Sequence, residues 1–221
     1  MAHDALLAAN AFFSDAPADA RSRIAAKGVV HQLQRGDVLF EEGDAPDAMY
    51  VVLTGRVAIA VANRPLDNRE SMLALMETGD LFGELGLLDE GPRSAMARAI
   101  EPSSVLRIPY DVVRTELRAN PAMLWGVTRL LASRLRVMDE VLSDSVFLDV
   151  TGRTAKRLLE LSGGKDEFVL PITQEELAGM VGASRERVNK AISSFIRLGW
   201  LEQQDRRYRI LMRERLEVRA S

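Results

Sequence analysis

Residues 173–201 read TQEELAGMVGASRERVNKAISSFIRLGWL, a stretch that predicts two short helices joined by a tight turn. Thr173 and Glu176 have the spacing of a capping box, which marks the start of the first helix. Gly182 ends this helix, and Ser184 is placed to cap the next one. The inward faces are formed by Leu177 and Met180 in the first helix and by Val188, Ile192 and Phe195 in the second. Two short helices around a glycine-containing turn are typical of a helix-turn-helix.

The second of these helices begins with a cluster of polar side chains that point away from its inward face. The N-terminal end of such a helix is the part that enters the major groove of DNA. An arginine there can bond guanine O6 and N7, and a glutamate can accept from the cytosine amino group. The candidate DNA-binding residues are Thr173, Ser184, Arg185, Glu186, Arg187, Asn189 and Lys190. An ordinary helical hairpin with a solvated charged face is the alternative, but it does not explain the spacing, the turn glycine and the local positive charge together.

The segment after Gly199, WLEQQDRRYRILM, reads as two strands around a polar turn, which makes a wing with Arg206 and Arg207 near phosphates. The charge distribution agrees with this placement. Residues 151–221 carry 14 Lys and Arg against 10 Asp and Glu, whereas residues 1–150 carry 15 against 22. Only the C-terminal part is therefore expected to meet a polyanion, and the expected polyanion is double-stranded DNA.

Upstream of the helix-turn-helix, the sequence predicts one long helix with Asn120 as its N-cap and Pro121 at its first position. Leu124, Leu131 and Met138 recur every seven residues and give a heptad-like seam over about 25 residues. A seam of this length favours pairing with a second copy of the helix, so we expect a homodimer. Packing of the seam against the protein's own sheet is the alternative.

The FLDVTGR stretch, residues 147–153, interrupts this seam, because Asp149–Thr151 and Gly152 do not continue it. A new amphipathic helix, TAKRLLELS, is predicted to begin at Thr154. The stretch is therefore the predicted domain boundary and hinge. Since no long flexible linker is present, movement at the hinge should be transmitted to both sides.

Residues 33–108 have a different pattern, in which short β-rich runs alternate with turn residues. The runs include MYVVLTGRVAIAV and SVLRIPY, and the turns are Gly36-Asp37, Gly43-Asp44, Gly55, Gly79-Asp80 and Gly91-Pro92. Frequent turns between short, half-buried strands predict a compact antiparallel sandwich or barrel. Residues 1–30 are expected to be helical, with Pro17 opening a second short helix.

The composition excludes several classes of function. The chain has 221 residues and no cysteine, which removes disulfides, thiolate nucleophiles, sulfur-ligated zinc and cysteine-held iron–sulfur clusters. His3 and His31 are too far apart to indicate a metal site, and no Ser/His/acid set is evident, so an enzyme is not expected. No apolar run approaches the roughly 18 residues of a membrane span, and residues 1–30 lack a signal-peptide pattern, so we expect a cytoplasmic protein with no membrane partner.

The β-rich region, the long helix, the FLDVTGR hinge and the winged helix-turn-helix containing GASRERVNK together resemble the cyclic AMP receptor protein branch of the Crp/Fnr transcription regulators. The resemblance covers nearly the whole chain. It implies an α+β fold with a cyclic-nucleotide-binding, jelly-roll-like β-roll over residues 1–120, a dimerisation helix over 121–147 and a winged helix-turn-helix DNA-binding domain over 148–221. It also implies a TGTGA-like palindrome as the DNA site and RNA polymerase as a partner.

In that family, the segment that matches FGELGLLDEGPRSA, which begins at residue 82, is the phosphate-binding cassette. The candidate ligand-binding residues in it are Gly83, Glu84, Leu85, Arg93 and Ser94. The resemblance implies that Glu84 holds the ribose 2′-hydroxyl and that Arg93 pairs with the cyclic phosphate. The residue chemistry agrees, because a guanidinium fork meets the two free oxygens of a phosphodiester bidentately and a glycine lets the backbone approach the anion. An ion pair between Glu84 and Arg93 across the loop is the alternative.

The expected base-binding end departs from the family pattern. In the cyclic AMP receptors, two adjacent polar residues midway along the dimer helix reach the adenine, and counting back from FLDVTGR places Met138 and Asp139 there. Methionine cannot donate to the base, whereas an ionised Asp139 can accept from the adenine amino group or from the two adjacent donors of guanine. The expected effector is a cyclic nucleotide, cyclic AMP first and cyclic GMP as the alternative, with no metal. A constitutive DNA binder with a vestigial or altered-specificity pocket (for cyclic GMP, a cyclic dinucleotide or no ligand) is the second hypothesis, and Met138 favours it.

Overall fold

The computed structural model describes residues 2–62 and 70–221, which fall into two compact units. The first unit contains the described residues up to Val61 together with Leu73–Arg136. The second contains Val137–Ser221 and the described residues among 62–72. The border between Arg136 and Val137 lies inside one continuous helix, so this helix contributes residues to both units.

The first unit is built on two four-stranded sheets, in which the pairs β1–β8, β3–β8, β3–β6, β2–β7 and β4–β7 are antiparallel. The strands are β1 (Val29–Leu33), β2 (Val38–Phe40), β3 (Ala48–Thr54), β4 (Val57–Ala62), β5 (Glu70–Met76), β6 (Leu81–Phe82), β7 (Met96–Ala99) and β8 (Ser103–Pro109). One sheet has the order β1-β8-β3-β6 and the other the order β2-β7-β4-β5. The helices are α1 (Ala2–Ala9), a 3-10 turn (Ala11–Phe13), α2 (Ala18–Lys27), α3 (Leu85–Leu88), α4 (Tyr110–Ala119) and the first part of α5 (Met123–Phe147). The predicted β-roll with helices before it is confirmed.

Strand β3 is buried on both faces, and its alternating side chains enter two different hydrophobic clusters. Tyr50 and Val52 belong to a cluster shared by the two sheets, with Val57 of β4 on the opposite side. Met49 and Val51 belong to the second cluster, which the helices cover with residues Leu7, Phe12, Phe13, Ile24, Val113, Met123 and Val127. The sheets thus pack on each other, and one of them also carries the helices.

Gly126 of α5 allows the 3-10 turn near the N-terminus to approach the helix backbone. A Cβ at this position would lie 2.6 Å from the carbonyl oxygen of Phe12 and 2.8 Å from that of Ala11. The backbone atoms cannot move aside as a flexible side chain can. We therefore expect Gly126→Ala to lower the free energy of unfolding by about 1–3 kcal/mol, although the higher helix propensity of alanine acts in the opposite direction. Denaturant unfolding measures this change. Ser133→Ala, at an exposed position of the same helix, is the control, and equal stability of the two variants would contradict the prediction.

The second unit contains the C-terminal part of α5 and a helical domain with a small sheet. The elements are α6 (Val150–Leu161), β9 (Glu167–Val169), α7 (Gln174–Val181), α8 (Arg185–Arg197), β10 (Leu201–Gln204), β11 (Arg207–Ile210) and α9 (Arg213–Arg219). The three strands form an antiparallel sheet in the order β10-β11-β9. The predicted helix-turn-helix and wing are confirmed, so the α+β class holds for the whole chain. Strand β9 and helix α9 are additional elements that are not predicted from the sequence.

The long helix begins later than predicted. Asn120 lies at the C-terminal end of α4, where its N–H donates to the Glu116 carbonyl oxygen at 2.8 Å, so it is not an N-cap of α5. A turn follows, in which the Met123 N–H donates to the Asn120 carbonyl oxygen at 3.0 Å, and Pro121 lies in this turn rather than in the helix. Helix α5 then runs for 25 residues from Met123 to Phe147, as long as the heptad seam predicts.

The segment that the sequence predicts as a hinge is shorter than expected, because α6 begins at Val150 and not at Thr154. Asp149 is the N-cap of α6, and its side chain accepts from the Gly152 N–H at 2.8 Å. Gly152 therefore lies in the first turn of the helix. A Cβ on Gly152 would lie 2.9 Å from the carbonyl oxygen of Arg219, so the glycine lets α9 pack against the start of α6.

Candidate ligand pocket and nucleic-acid interface

Gly83 links strand β6 to helix α3 in a conformation that favours glycine, with φ of +73°. A Cβ here would lie 2.8 Å from Nη1 of Arg93, so a larger residue would collide with the guanidinium as well as strain the backbone. The glycine predicted for close approach is therefore needed for both reasons. It brings the cassette backbone against Arg93, the arginine that the family resemblance assigns to the phosphate.

Arg93 is only 6% exposed and is held by groups of the protein itself. Its Nη1 donates to the Gly83 carbonyl oxygen at 2.8 Å and to the Tyr110 hydroxyl at 3.0 Å. Its Nη2 donates to the Ala48 carbonyl oxygen at 2.6 Å. The guanidinium also lies over the Phe40 ring, 4.0 Å from its centroid. These contacts are neutral, and within residues 2–62 and 70–221 no carboxylate forms an ion pair with Arg93.

One edge of the Arg93 guanidinium remains free. Both Nη1 hydrogens and one Nη2 hydrogen are used, whereas Nε is buried and has no hydrogen-bond partner among the described residues. In a guanidinium, Nε–H and one Nη2–H can together meet two oxygens of an anion, and Arg93 leaves Nε–H and one Nη2–H unused by the described residues. A buried cation with an unpaired donor is costly unless a partner arrives. The arrangement is suited to an oxyanion.

Glu84 is 0% exposed and has one occupied and one free carboxylate oxygen. Oε1 accepts from Nη1 of Arg134, a residue of α5, and Nη2 of Arg134 donates to the Leu81 carbonyl oxygen at 2.6 Å. Oε2 is buried without a partner among the described residues. Burial raises the pKa of the Glu84 carboxyl above its ordinary value, and the charge of Arg134 opposes this shift. The free oxygen can accept a hydroxyl hydrogen from a ligand.

Glu84 and Arg93 do not pair with each other, so the alternative of a simple ion pair across the loop is wrong. Each has its own partner instead, Arg134 for the carboxylate and Tyr110 for the guanidinium. The sequence predicts neither of these partners. Arg134 is one of several arginines in α5, and Tyr110 follows a strand as many core tyrosines do, so no spacing rule distinguishes them.

The contacts of the other predicted ligand residues do not identify a role for them. Leu85 is the first residue of α3 and is partly exposed, and Ser94 is exposed on the cassette. Met138 and Asp139 lie in the part of α5 that belongs to the second unit, and Met138 is 68% exposed there. That they contact a base stays a prediction.

The helix-turn-helix has the caps that its sequence predicts. The Thr173 hydroxyl accepts from the Glu176 N–H, and the Glu176 carboxylate accepts from the Thr173 N–H at 2.7 Å, which completes the capping box. Gly182 ends α7 with φ of +67°, and Ser184 caps α8 by accepting from the Arg187 N–H at 3.4 Å. The buried face of α8 consists of Val188, Ala191, Ile192 and Phe195. In α7, however, Leu177, Ala178 and Val181 are buried, and Met180 is only half-buried, contrary to the prediction.

The first turns of α8 present free charges to solvent. Arg185, Glu186, Arg187 and Lys190 are exposed, and none of them forms an ion pair within the part of the chain that the structure describes. Asn189 is half-buried, and its Oδ1 has no hydrogen-bond partner among the described residues. Unpaired cations and an unsatisfied amide at the N-terminal end of a helix can bind phosphates and base edges.

The wing consists of β10 and β11, whose register pairs Leu201 with Ile210. Asp205 at its tip has φ of +55°, as a tight turn between antiparallel strands requires. Arg207 is exposed, whereas Arg206 donates to the Leu170 carbonyl oxygen at 3.0 Å. Arg207 is therefore the freer of the two predicted phosphate contacts.

Two further features bear on function. Among the described residues, no helix combines the length and the apolar character needed to span a bilayer. Over the same residues, no group of three or more His, Asp or Glu side chains is placed to hold a metal ion.

Comparison with known proteins gives a match to the family "Cyclic nucleotide-binding domain" over residues 30–120 and to the family "Crp-like helix-turn-helix domain" over residues 152–219. The chain is 38% identical over 193 residues to a CRP-like cAMP-activated global transcriptional regulator of Mycobacterium tuberculosis, which covers 84% of this chain and 85% of that protein. It is 34% identical over 170 residues to the cAMP-activated global transcriptional regulator CRP of Salmonella typhimurium, with 74% and 80% covered. Among solved structures, FixK2 from Bradyrhizobium japonicum is similar, with a TM-score of 0.77, 21% identity and 88% and 98% covered.

Proposed function

The chain belongs to the Crp/Fnr family of transcription regulators, and from this premise we propose that a cyclic nucleotide, cyclic AMP in the first place, controls its binding to DNA as a homodimer. The observation that carries the proposal is that Nε–H of Arg93 and Oε2 of Glu84, both deeply buried and both in the cassette, have no hydrogen-bond partner among the described residues. A cyclic phosphate has two free oxygens for the first, and a ribose hydroxyl has a hydrogen for the second. The two named relatives are described as cAMP-activated, which supports this ligand.

The proposed ligand-binding residues are those of the cassette and of the middle of α5: Gly83, Glu84, Leu85, Arg93, Ser94, Met138 and Asp139. Arg134 joins this set because it holds Glu84 and belongs to α5. A ligand that accepts from Arg93 and donates to Glu84 would pair a donor and a lone pair that have no partner among the described residues. Binding can shift the protein between two states only by its different affinity for each, typically by about 1–3 kcal/mol.

The proposed homodimer uses the apolar seam of α5. The exposed apolar residues along this helix are Leu124, Trp125, Leu131, Leu135, Val137, Met138, Val141, Leu142, Val146 and Phe147. A row of this kind on a helix of 25 residues is unusual for a surface in contact with water and favours a second copy as its cover. Analytical ultracentrifugation measures the oligomeric state, and a monomer at micromolar concentration would contradict the proposal.

Glu84 is expected to make the protein bind a nucleotide with a ribose 2′-hydroxyl more tightly than one without it. Replacing Glu84 by Gln, which has the same size, is expected to weaken cyclic AMP binding by about 1–2 kcal/mol, because an amide oxygen is a weaker acceptor than a carboxylate oxygen and the ion pair with Arg134 is lost. Calorimetry with cyclic AMP and 2′-deoxy cyclic AMP measures the effect. The wild type should prefer cyclic AMP, and Glu84→Gln should reduce that preference. An unchanged preference would mean that another group binds the hydroxyl.

The proposed DNA site is a TGTGA-like palindrome, whose half-sites are bound by the two copies of α8 at a spacing of about 34 Å. Thr173, Ser184, Arg185, Glu186, Arg187, Asn189 and Lys190 are the proposed contacts. RNA polymerase is a further proposed partner. The proposed location is the cytoplasm, because a regulator of chromosomal DNA acts there. A gel-shift titration on this palindrome with and without cyclic AMP tests the central claim. Retention that is identical in both conditions would remove the control by ligand.

A constitutive DNA binder with an altered pocket is the second candidate function, and Met138 is the observation that favours it. Methionine offers no hydrogen bond of ordinary strength to a base, and Asp139 accepts from guanine at least as well as from adenine. Calorimetric titration with cyclic AMP, cyclic GMP and cyclic dinucleotides separates the two candidates. Binding of cyclic GMP alone would change the ligand and keep the mechanism, whereas no binding of any of them would leave the constitutive function.

A further inference from the structure

Tyr110 lies at the point where β8 ends and α4 begins, and its phenol reaches the cassette. The residue is 5% exposed, and its hydroxyl is the only side-chain oxygen among the described residues that bonds Arg93. The hydroxyl accepts from Nη1 of Arg93 at 3.0 Å and donates to the Gly83 carbonyl oxygen. One phenol thus connects the arginine to the turn that the glycine makes possible.

We propose that Tyr110 is a positioning residue for the anion-binding arginine, and that it determines which edge of the Arg93 guanidinium meets the ligand. The inference rests on the proposed function, because it concerns the orientation of the group that binds the phosphate. A guanidinium has two edges that can fork an anion, one formed by Nε and Nη2 and the other by Nη1 and Nη2. Tyr110 and Gly83 together use both hydrogens of Nη1, so the second edge is closed.

The hydroxyl, and not the aromatic ring alone, gives this selection. Without it, one Nη1 hydrogen is released, and the Gly83 carbonyl oxygen keeps only the bond from Arg93. The guanidinium of Arg93 lies over the ring of Phe40, and this contact opposes tilting of the guanidinium plane. It does not prevent the guanidinium from rotating within its own plane. Burial raises the pKa of Tyr110 above its ordinary value, so the phenol stays protonated at neutral pH and continues to donate to Gly83.

Tyr50 of β3 provides a matched control. Its ring centroid lies 5.8 Å from Cζ of Arg93, the same distance as that of Tyr110, and it is buried to a similar degree. Tyr50 forms no hydrogen bond to Arg93 or Gly83. Tyr50→Phe and Tyr110→Phe therefore remove the same hydroxyl from rings at the same distance, and only the second removes a bond to the arginine.

The experiment uses the two phosphorothioate diastereomers of cyclic AMP, in which sulfur replaces one or the other exocyclic phosphate oxygen. A guanidinium fixed by Tyr110 gives each oxygen its own donor, so the wild type should bind the diastereomers with different affinities. Tyr110→Phe should lower the affinity for cyclic AMP by about tenfold and the ratio between the diastereomers by about threefold or more. Tyr50→Phe should keep the wild-type ratio. Isothermal titration calorimetry on the full-length chain gives all of these values.

A ratio unchanged by Tyr110→Phe overturns the inference, and so does an equal reduction by both variants, since that would report loss of general packing. If the wild type binds no cyclic nucleotide, the proposed function fails and this inference fails with it. If Tyr110→Phe does not fold, the ligand-bound wild type decides by nuclear magnetic resonance. A scalar coupling between Nε of Arg93 and the phosphorus of cyclic AMP is then expected, and couplings to the two Nη atoms instead would contradict the proposal.

Discussion

Arg93→Ala is expected to reduce the affinity for a cyclic nucleotide by about 2–5 kcal/mol, which is a factor of about 30 to several thousand. The arginine is 6% exposed, carries a free Nε–H and has no carboxylate partner among the described residues. The phosphate would therefore lose a bidentate partner in a place where water cannot replace it fully. Calorimetry with cyclic AMP measures the change, and ultracentrifugation checks that the oligomeric state is retained.

Two further variants sharpen this result. Arg93→Lys keeps the charge but replaces the flat fork by a single ammonium, so it should bind more weakly than the wild type and better than Arg93→Ala. Arg35→Ala removes an exposed arginine from the turn between β1 and β2 and should leave the affinity unchanged. If Arg93→Ala binds cyclic AMP as the wild type does, the phosphate lies elsewhere. The free edge of Arg93 would then need another explanation.

The parts of the fold that the sequence predicts well are those whose signals are local. The capping box at Thr173, the turn at Gly182 and the cap at Ser184 each depend on residues within four positions, and all three are present. The start of α5 was harder to place, because an Asn-Pro pair can end one helix or begin the next. The structure shows that Asn120 ends α4.

The partners in the pocket could not be derived in this way. Arg134 is 50 positions from Glu84, and Tyr110 is 17 positions from Arg93. Such pairs depend on how α5 and α4 pack against the sheets, and a single sequence contains no periodicity that records this. Gly83 is a more useful signal, because a glycine at this position predicts that the backbone lies close to a charged group.

Arg185→Ala is expected to weaken binding to the TGTGA-like palindrome by about 1–3 kcal/mol for each half-site, with little effect on random DNA. The residue opens α8, is exposed and has no ion pair among the described residues, so its guanidinium is free to bond a guanine in the major groove. Because the proposed homodimer has two copies of α8, the loss of binding free energy on a full palindrome should be twice the loss for one half-site. Fluorescence anisotropy with labelled duplexes in the presence of cyclic AMP measures it.

Variants of two other residues of α8 distinguish a direct contact of Arg185 with a base from a general effect of its charge. Arg187→Ala removes a proposed phosphate contact, so it should weaken binding to all sequences alike and reduce the slope of affinity against salt concentration. Arg197→Ala, at the exposed last turn of α8, should change neither property. If Arg185 acted only through its charge, its variant would behave as Arg187→Ala does.

The TGTGA half-site has two guanines, and substituting them one at a time identifies the guanine that Arg185 bonds. In the wild type, replacing it should cost about as much as Arg185→Ala does, because the same pair of hydrogen bonds is lost from either side. In Arg185→Ala, the same base change should cost little more, since no side chain remains to detect it. Such non-additivity identifies a direct contact between residue and base. Additive losses would show that Arg185 and the guanine contribute independently, and the assignment of α8 as the reading helix would then rest on Glu186 and Lys190.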